Sequence, residues 1–243
     1  MKLYRVHIEE RERVGNYTVL HYRWPGTVEP GQFVMARANG FPLTLDPFLA
    51  RPFSFYAHEG EIASLLFEVR GRGTALLDGA RTMEVSAPLG RGFGIDATAG
   101  RAALLGGGVG VAPLKVLSRS LRELGVRHDV FLGFADALTA EVAREFPESK
   151  VATMDGSLGT RGTVLDAVPD LESYPVVYAC GPNPMLAAVK RAVGEEGLCQ
   201  LSVEERMGCG NGSCNGCVVP VRDGGYVRSC VEGPVFRAEA VAW

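Results

Sequence analysis

The stretch "RAALLGGGVGVAPLKVLSRSLRELG" (residues 101–125) combines two kinds of local pattern within 25 residues. It begins as a short apolar run, typical of a buried strand, and the run ends in consecutive glycines. From Pro113 onward, apolar residues recur at helical spacing until "ELG". A buried strand that passes through glycines into a helix is the opening of a β-α-β unit, so this stretch predicts a parallel sheet.

The same alternation continues toward the C-terminus. Three further segments read as strands, and each is followed by a segment that reads as a helix. The last helix is expected to open at Asn183 and Pro184, residues favoured at helix starts. The strands are "HDVFLGF", "KVATM" and "YPVVYAC", and the helices are "LTAEVAREF", "GTVLDAV" and "NPMLAAVKRAVGEEG". We therefore predict an α/β dinucleotide-binding domain over residues 98–198.

Toward the N-terminus the pattern changes to short alternating segments separated by Gly and Pro. Examples are "KLYRVHIEE", "GQFVMAR", "RPFSFYA" and "SLLFEVR". This pattern predicts a small antiparallel barrel over residues 1–97, interrupted by one helix that starts near Thr74. The predicted fold class is thus an antiparallel β barrel plus an α/β domain, followed by a C-terminal segment of residues 199–243 with little periodicity.

Composition excludes several classes of protein. The net charge of −3 gives no basis for nucleic-acid binding, which needs a basic surface. No run of about 18 apolar residues is present, so no membrane span is expected. Acidic residues in "MKLYRVHIEE" argue against a signal peptide, and we expect a cytoplasmic protein. In that reducing compartment, clustered cysteines bind metal or carry out redox chemistry more often than they form disulfides.

Four of the six cysteines lie in "MGCGNGSCNGCVVPVRDGGYVRSC" (residues 207–230). Three ligands in one loop and a fourth at a distance match the plant-type arrangement of a [2Fe–2S] cluster, C-x4-C-x2-C…C. Intervening glycines allow the chain to curl closely and leave N–H groups free to point at sulfur. Zinc and structural disulfides remain alternatives, and Cys199 is expected to be a core residue. The predicted ligands are Cys209, Cys214, Cys217 and Cys230.

Two glycine-containing turns follow strands of the predicted sheet. The first, "LLGGGVGVAPL" (104–114), resembles a dinucleotide loop but matches G-x-G-x-x-G imperfectly, and a plain tight turn is the alternative. Its glycines at 106, 107, 108 and 110 permit close approach of backbone to a ligand. The second, "YACGPNPM" (178–185), reads alone as a strand end and a helix cap. Together, at carboxyl ends of strands in one sheet, the two turns predict a joint nucleotide site.

The barrel half contains a possible anion site. "RPFSFY" places Arg51 and Ser54 on one strand, and "GRGT" (71–74) then opens a helix. A guanidinium, a hydroxyl and a helix N-terminus can together hold a pyrophosphate. The alternative for Arg51 is a solvated barrel face.

These motifs, in this order, resemble the ferredoxin–NADP reductase superfamily. "RPFS" resembles its flavin motif R-x-x-S, "GRGT" its pyrophosphate turn, "GGGVGVAPL" its dinucleotide loop and "CGP" its nicotinamide-side turn. "DGSLGTRGTV" (155–164) resembles a loop of related flavin reductases. With the cysteine loop and "CVEGPVF", the narrower resemblance is to electron transfer subunits of class 1B dihydroorotate dehydrogenases, and it covers essentially the whole chain.

The resemblance implies FAD, a [2Fe–2S] cluster and NAD as cofactors. It implies that the partner is an FMN-containing catalytic subunit, in a heterotetramer with two copies of each chain, in pyrimidine biosynthesis. The FAD residues it implies are Arg51, Pro52, Phe53, Ser54, Leu66, Phe67, Glu68, Gly73 and Thr74, and the NAD residues are Gly107, Gly108, Gly110, Cys180, Gly181 and Pro182. The inter-ligand residues "GNGS" and "NG" are smaller and more polar than the family pattern, which predicts a more hydrated cluster.

The implied activity is electron transfer from dihydroorotate, through the partner flavin, the cluster and FAD, to NAD⁺. FAD is needed because it can take electrons singly and release them as a pair. No side chain need act as an acid or base, so no catalytic residue is predicted. Asp136 and Glu141, after the strand "HDVFLGF", favour NAD over NADP, because a 2′-phosphate would need cations there.

Three rival functions remain at the level of sequence. One is the small subunit of an NADH-dependent ferredoxin–NADP reductase or sulfide dehydrogenase, a group in which the first cluster ligand is commonly aspartate rather than a residue like Cys209. Another is a non-redox regulatory module holding zinc or a cluster, which the intact "RPFS" and "GGGVG" segments oppose. The third is a diaphorase that needs no partner.

Overall fold

A computed structural model describes residues 1–39, 46–195 and 197–243 of the chain. The N-terminal part is a closed antiparallel barrel in the order β1-β2-β5-β4-β3-β6, and a single helix, α1, joins β5 to β6. The bounds are β1 Leu3–Val14, β2 Tyr17–Arg23, β3 Phe33–Ala38, β4 Arg51–Glu59, β5 Ile62–Glu68, α1 Arg72–Gly79 and β6 Thr82–Ser86.

The two faces of strand β3 pack against different parts of the molecule. Val34 and Ala36 point into the barrel and pack in its apolar core. Phe33 and Met35, one residue out of phase, pack instead against the C-terminal segment that carries the cysteines. Because successive side chains of a strand point to opposite faces, one strand serves both the barrel core and the cysteine segment.

The second part is a seven-stranded sheet in the order β10-β9-β8-β7-β11-β12-β15. Its neighbouring strands run parallel except for β15, which is antiparallel to β12. A separate hairpin, β13 with β14, lies within the cysteine segment. The bounds are β7 Arg101–Gly107, α2 Val111–Glu123, β8 Arg127–Phe134, β9 Lys150–Thr153, β10 Thr160–Arg161, β11 Val176–Gly181, α3 Asn183–Val193, β12 Leu198–Val203, β13 Val218–Pro220, β14 Tyr226–Arg228 and β15 Val235–Arg237.

The strand order reverses between β7 and β11. From β7 the chain adds β8, β9 and β10 on one side, and then returns to place β11 on the other side of β7. In open α/β sheets this switch point opens a crevice at the carboxyl ends of the two strands, where ligands bind. The two glycine turns predicted from sequence follow β7 and β11. Because these strands are paired, the turns lie side by side at the switch point.

Both faces of the sheet are covered by apolar layers. On one face, α2 side chains such as Leu114 and Leu117 pack with Leu104 and Leu132 of the strands. On the other, Leu186 of α3 packs with Leu105 and neighbouring strand residues. This burial on both sides explains why the strands read as continuous apolar runs rather than alternating ones. In the described ranges, no helix has the length and apolar content that crossing a bilayer would take.

Helix bounds differ from the sequence expectation in several places. Helix α2 begins at Val111 rather than Pro113, because a 3₁₀ turn over Gly108–Gly110 leads directly into it. Helix α1 begins at Arg72, because the Thr74 hydroxyl accepts N–H groups of the preceding turn and so marks the third helical position rather than the first. The segments predicted as helices after β8 and β9 are short 3₁₀ helices, Thr139–Glu145 and Val164–Ala167.

The predicted domain boundary between residues 198 and 199 falls inside β12. That strand pairs with β11 along its whole length, and β15 adds a further strand beyond it. A boundary cannot divide a strand that is hydrogen-bonded into the sheet. We therefore propose that the cysteine segment comprises residues 204–234, inserted between the last two strands of the sheet.

Candidate functional site

A cavity of about 280 Å³ lies where the barrel meets the switch point of the sheet. Its walls come from the start of β4, the end of β5, the start of α1, the loop after β7, and the chain that leaves β12. Nine of the residues predicted from sequence meet at this one cavity. They are Pro52, Phe53, Ser54, Leu66, Phe67, Glu68, Thr74, Gly110 and Cys180.

Arg51 and Gly73, also predicted, do not line the cavity but pack against each other beside it. A Cβ built on Gly73 would lie 2.1 Å from the Arg51 guanidinium carbon. The guanidinium therefore lies directly over the first turn of α1, where helical N–H groups lack intrahelical partners. Its Nη1 donates to the Leu49 carbonyl. A fixed cation above helix N–H groups can hold a pyrophosphate. The Arg51–Gly73 contact beside the cavity therefore fits the pyrophosphate of the predicted flavin.

Replacing Gly73 with Ala should weaken FAD retention. The new methyl group would occupy the place of the Arg51 guanidinium and force that cation away from the helix start. Loss of one charge-assisted contact of about 1.5–3 kcal/mol predicts roughly 10- to 100-fold weaker FAD binding. Flavin fluorescence titration of the apoprotein measures this directly. The matched control is Gly79→Ala on the same helix, where a Cβ meets nothing within 4 Å; equal loss in both variants would contradict the assignment.

The two glycine turns at the switch point are glycine-rich chiefly because they pack on each other. A Cβ on Gly110 would lie 2.5 Å from the Cys180 carbonyl oxygen, and one on Gly181 would lie 3.1 Å from the Gly107 nitrogen. A Cβ on Gly107 would meet the Met185 sulfur at 2.4 Å and Pro182 at 3.2 Å.

Gly108 differs from the other glycines of the first turn. It has a φ of +54° and no atom within 4 Å of the Cβ position. Neighbouring protein atoms occupy the Cβ positions of Gly106, Gly107 and Gly110, whereas the Cβ position of Gly108 faces open space.

Cys180 lies at the carboxyl end of β11, buried and lining the cavity. Burial raises the pKa of its thiol, and the negative charge of Glu204 raises it further, while a hydrogen bond with Ser202 acts in the opposite direction. The side chain therefore remains a neutral thiol near pH 7. It can pack against a ligand but is not an activated nucleophile.

Sequence reasoning missed several cavity residues, among them Phe33, Arg70, Glu204 and Met207. Glu204 and Met207 lie directly before the cysteine loop. Their position in the sequence could have identified them as site residues. Burial raises the pKa of the Glu204 carboxyl, and Arg70 acts to lower it. Phe33 gave no local signal, because it belongs to an ordinary alternating strand.

The four cysteines of the loop form two pairs. The Cys209 thiol lies within hydrogen-bonding reach of Cys214, and the Cys230 thiol within reach of Cys217. Cys217 and Cys230 are buried beneath the loop, whereas Cys214 is exposed and Cys209 is half-buried. Across the described ranges, no three Cys, His, Asp or Glu side chains converge as ligands of one ion would. The C-x4-C-x2-C…C spacing of these thiols matches a [2Fe–2S] cluster better than a tetrahedral zinc site.

Backbone N–H groups of the loop point at the sulfurs. Asn211 and Cys214 donate to the Cys209 sulfur at 3.5 and 3.4 Å, and Gly216 donates to Cys214 at 3.4 Å. Burial acts to raise the pKa of Cys209, but these N–H groups outweigh it and lower that pKa to about 6. Burial, followed by the neighbouring Cys217, raises the pKa of Cys230 to about 12. The outer ligand is therefore ready as a thiolate, the form that binds iron.

Two of these loop glycines adopt the left-handed backbone conformation. Gly210 has a φ of +67° and packs on Met35 of the barrel, and Gly212 has a φ of +84° beside Val231. The left-handed region disfavours residues with a Cβ, so these positions explain the glycines that the sequence shows between the ligands.

The two acids predicted to favour NAD have local partners. One Asp136 carboxylate oxygen accepts the Thr139 N–H at 2.8 Å and thereby caps the 3₁₀ helix after β8. Glu141 forms an ion pair with Arg144 one turn later. Both residues lie past the carboxyl end of β8, next to the switch point, but their carboxylates are already engaged in local contacts.

Comparison with known protein families identifies the cysteine segment. The profile described as "Iron-sulfur cluster binding domain of dihydroorotate dehydrogenase B" matches residues 204–242. The match begins directly after β12, at the first residue of the segment that we propose as cluster-binding.

Curated relatives cover nearly the whole chain. Dihydroorotate dehydrogenase B (NAD(+)), electron transfer subunit, of Geobacillus sp. (strain WCH70) is 41% identical over 225 residues, covering 87% of this chain and 86% of the relative. The protein of the same name from Listeria monocytogenes (strain EGD-e) is 40% identical over 227 residues, covering 88% of this chain and 87% of the relative.

Solved structures show the same architecture. A chain from the structure of NADH-dependent reduced ferredoxin-NADP oxidoreductase superimposes with a TM-score of 0.85 at 26% identity, covering 98% of this chain and 90% of that one. Phthalate dioxygenase reductase, described as modular for electron transfer from pyridine nucleotides to [2Fe-2S], aligns with a TM-score of 0.65 at 17% identity, covering 94% of both chains. The second likeness establishes the fold alone.

Proposed function

This chain belongs to the family of dihydroorotate dehydrogenase B electron transfer subunits, and we propose that it carries electrons from dihydroorotate oxidation to NAD⁺ through the sites described above. It is an oxidoreductase subunit with FAD, a [2Fe–2S] cluster and NAD as cofactors. The observation that carries the proposal is that two pairs of thiols lie next to an apolar cavity at the switch point of the sheet.

We assign FAD to the cavity and the adjoining Arg51–Gly73 contact. Arg51 and the start of α1 hold the pyrophosphate by charge and N–H donation. The apolar walls formed by Leu66 and Phe67, with Ser54 at the edge, exclude water from the ring. When bound, FAD accepts electrons one at a time and releases a pair as hydride.

We assign the NAD pyrophosphate to the turn at Gly108, and the nicotinamide end to the wall formed by Gly110 and Cys180. The interlocked turns hold these residues at the carboxyl ends of β7 and β11. Bound there, the dinucleotide would lie next to the cavity assigned to FAD. The contribution of the chain would be orientation.

We assign the cluster to Cys209, Cys214, Cys217 and Cys230. One pair lies toward solvent and the other lies against β3 of the barrel, so the cluster would have an outer and an inner side. The outer thiols, Cys209 and Cys214, would face the solvent side, and the inner thiols, Cys217 and Cys230, would face the barrel wall next to the cavity. A cysteine at the first ligand position also favours the dihydroorotate system over the ferredoxin–NADP reductase group.

An electron transfer subunit acts with a catalytic subunit. We propose that this partner carries FMN and that the assembly contains two copies of each chain. Native mass of the co-expressed complex would test the stoichiometry, and separation of FMN from FAD after denaturation would identify the partner's flavin. The cytoplasmic location expected from the sequence stays a prediction.

An anaerobic visible and EPR spectrum, recorded before and after NADH is added to the purified protein, tests the proposed route. Bleaching of the flavin followed by a rhombic [2Fe–2S] signal is the expected result. Flavin bleaching without an iron signal, after reconstitution with iron and sulfide, would contradict the cluster assignment. Absence of both cofactors after reconstitution would contradict the redox function and favour a regulatory module.

A further inference from the structure

One side chain belongs both to the flavin cavity and to the packing around the inner cysteines. Phe33 on β3 lines the cavity, and it also packs in a single apolar cluster with Met35, Cys217 and Cys230. Its exposed fraction is only 2%. Met207, two residues before the first cysteine ligand, likewise lines the cavity and packs against the same cluster. The two sites are therefore separated by one layer of apolar side chains.

The Phe33 ring is held tightly in this layer. Its backbone exchanges hydrogen bonds with Leu89, at 3.2 Å from its N–H and 2.8 Å to its carbonyl. The neighbouring residue Gly90 has a φ of +76°, and a Cβ there would lie 2.9 Å from the ring atom Cε1. Because Gly90 has no side chain, the Phe33 ring occupies the space where a Cβ would lie. The barrel core does not require this ring, because the core packs on the opposite face of β3 through Val34 and Ala36.

We propose that Phe33, supported by Met207, is a positioning residue for electron transfer. The two side chains form an apolar partition without water that keeps the flavin and the inner cysteines one side chain apart. A filled apolar layer excludes water that would otherwise reorganise around each change of charge. It also fixes the separation of the two sites, because close-packed interiors do not deform continuously. This inference rests on the proposed function.

Electron transfer across this layer makes and breaks no bond within the layer, and the number of electrons is conserved. In the NADH-driven direction, NADH transfers two electrons to the flavin as hydride and leaves as NAD⁺. One of these electrons then crosses the layer and reduces one ferric ion of the cluster to ferrous. The other stays on the flavin, and any proton the flavin loses passes to water.

Phe33→Leu and Met207→Ala, each in the full chain with both cofactors, test the proposal in an anaerobic stopped-flow experiment with NADH. The matched control is Phe55→Leu, because Phe55 is equally buried but packs in the barrel core, away from the cavity and the cysteines. In each protein, flavin bleaching reports hydride transfer and the cluster signal reports the crossing.

In Phe33→Leu and Met207→Ala, we expect the cluster-reduction phase to slow several-fold more than the flavin-bleaching phase. Electron spin echo spectra in D₂O should also show stronger deuterium coupling to the reduced cluster, a change that a merely structural role would not produce. Phe55→Leu should match the wild type in both readouts.

Wild-type rates and deuterium coupling in both test variants would overturn the role of the partition while leaving the proposed function intact. Slowing of the same size in Phe55→Leu would also overturn it, since general loosening of the barrel would then explain the effect. A wild-type protein whose cluster is never reduced by NADH would instead overturn the proposed function itself.

Discussion

Replacing Cys217 with Ser is expected to abolish dihydroorotate-dependent reduction of NAD⁺ while leaving FAD bound. Cys217 is 2% exposed and belongs to the inner thiol pair, so its loss removes a ligand on the side of the cluster that faces the cavity. A neutral hydroxyl replaces a thiolate that iron needs as a ligand. The flavin pocket lies on the other side of Phe33, and its residues are untouched.

The measurement is NAD⁺ reduction by the reconstituted complex, together with iron content and FAD stoichiometry. Activity should fall to background, iron should be lost, and one FAD per chain should remain. The matched control is Cys199→Ser, because Cys199 is also buried but packs in the sheet core on β12. Wild-type electron transfer in Cys217→Ser would contradict the assigned route, as would iron loss in Cys199→Ser.

Gly110→Ala is expected to reduce NADH binding strongly and to destabilise the sheet domain. A Cβ at this position would lie 2.5 Å from the Cys180 carbonyl oxygen, 2.6 Å from its carbonyl carbon and 2.7 Å from the Gly181 Cα. All three are backbone atoms of β11, which is paired with β7 on one side and β12 on the other, so no flexible side chain can move aside. Overpacking of this kind costs about 1–3 kcal/mol and forces the two turns apart.

The dissociation constant of NADH should rise by at least tenfold, since separating the turns misplaces both sides of the dinucleotide site. Flavin-bleaching kinetics at varied NADH concentration measure it, and thermal unfolding reports the loss of stability. Gly94→Ala is the control, because a Cβ there makes only ordinary contacts, at 3.7 and 3.8 Å, with Gln200. Unchanged NADH affinity in Gly110→Ala would contradict the interlocking of the turns.

Several elements were predicted correctly from local pattern. The apolar run of β7, the glycines after it and the periodic residues of α2 predict a strand, a turn and a helix because each signal lies within a few residues. The barrel and the parallel sheet follow from the same kind of pattern, and both are present. The iron–sulfur segment was recognisable for a similar reason, because the spacing of its cysteines is set by the size of the group that the chain surrounds.

Other features depend on contacts between distant segments. The strand β15 joins the sheet more than 30 residues after β12, across a segment whose sequence shows no sheet periodicity. The reason for glycine at position 110 lies in the chain near residue 180, which no local pattern reveals. The 3₁₀ helices after β8 and β9 likewise replace α-helices that propensity alone would favour, because tertiary packing overrides weak local preference.

By itself, the sequence determined the barrel, the alternation of strands and helices in the sheet domain, and the spacing of the four cysteines proposed as cluster ligands, because periodicity and spacing are properties of neighbouring residues. Only the tertiary structure decided that two thiols are buried and two lie toward solvent. It also decided that the Arg51 guanidinium packs over Gly73, and that Phe33 lies between the cavity and the cysteines. Those relations join residues far apart in the chain, and packing brings them together only once the barrel, the sheet and the cysteine segment are assembled.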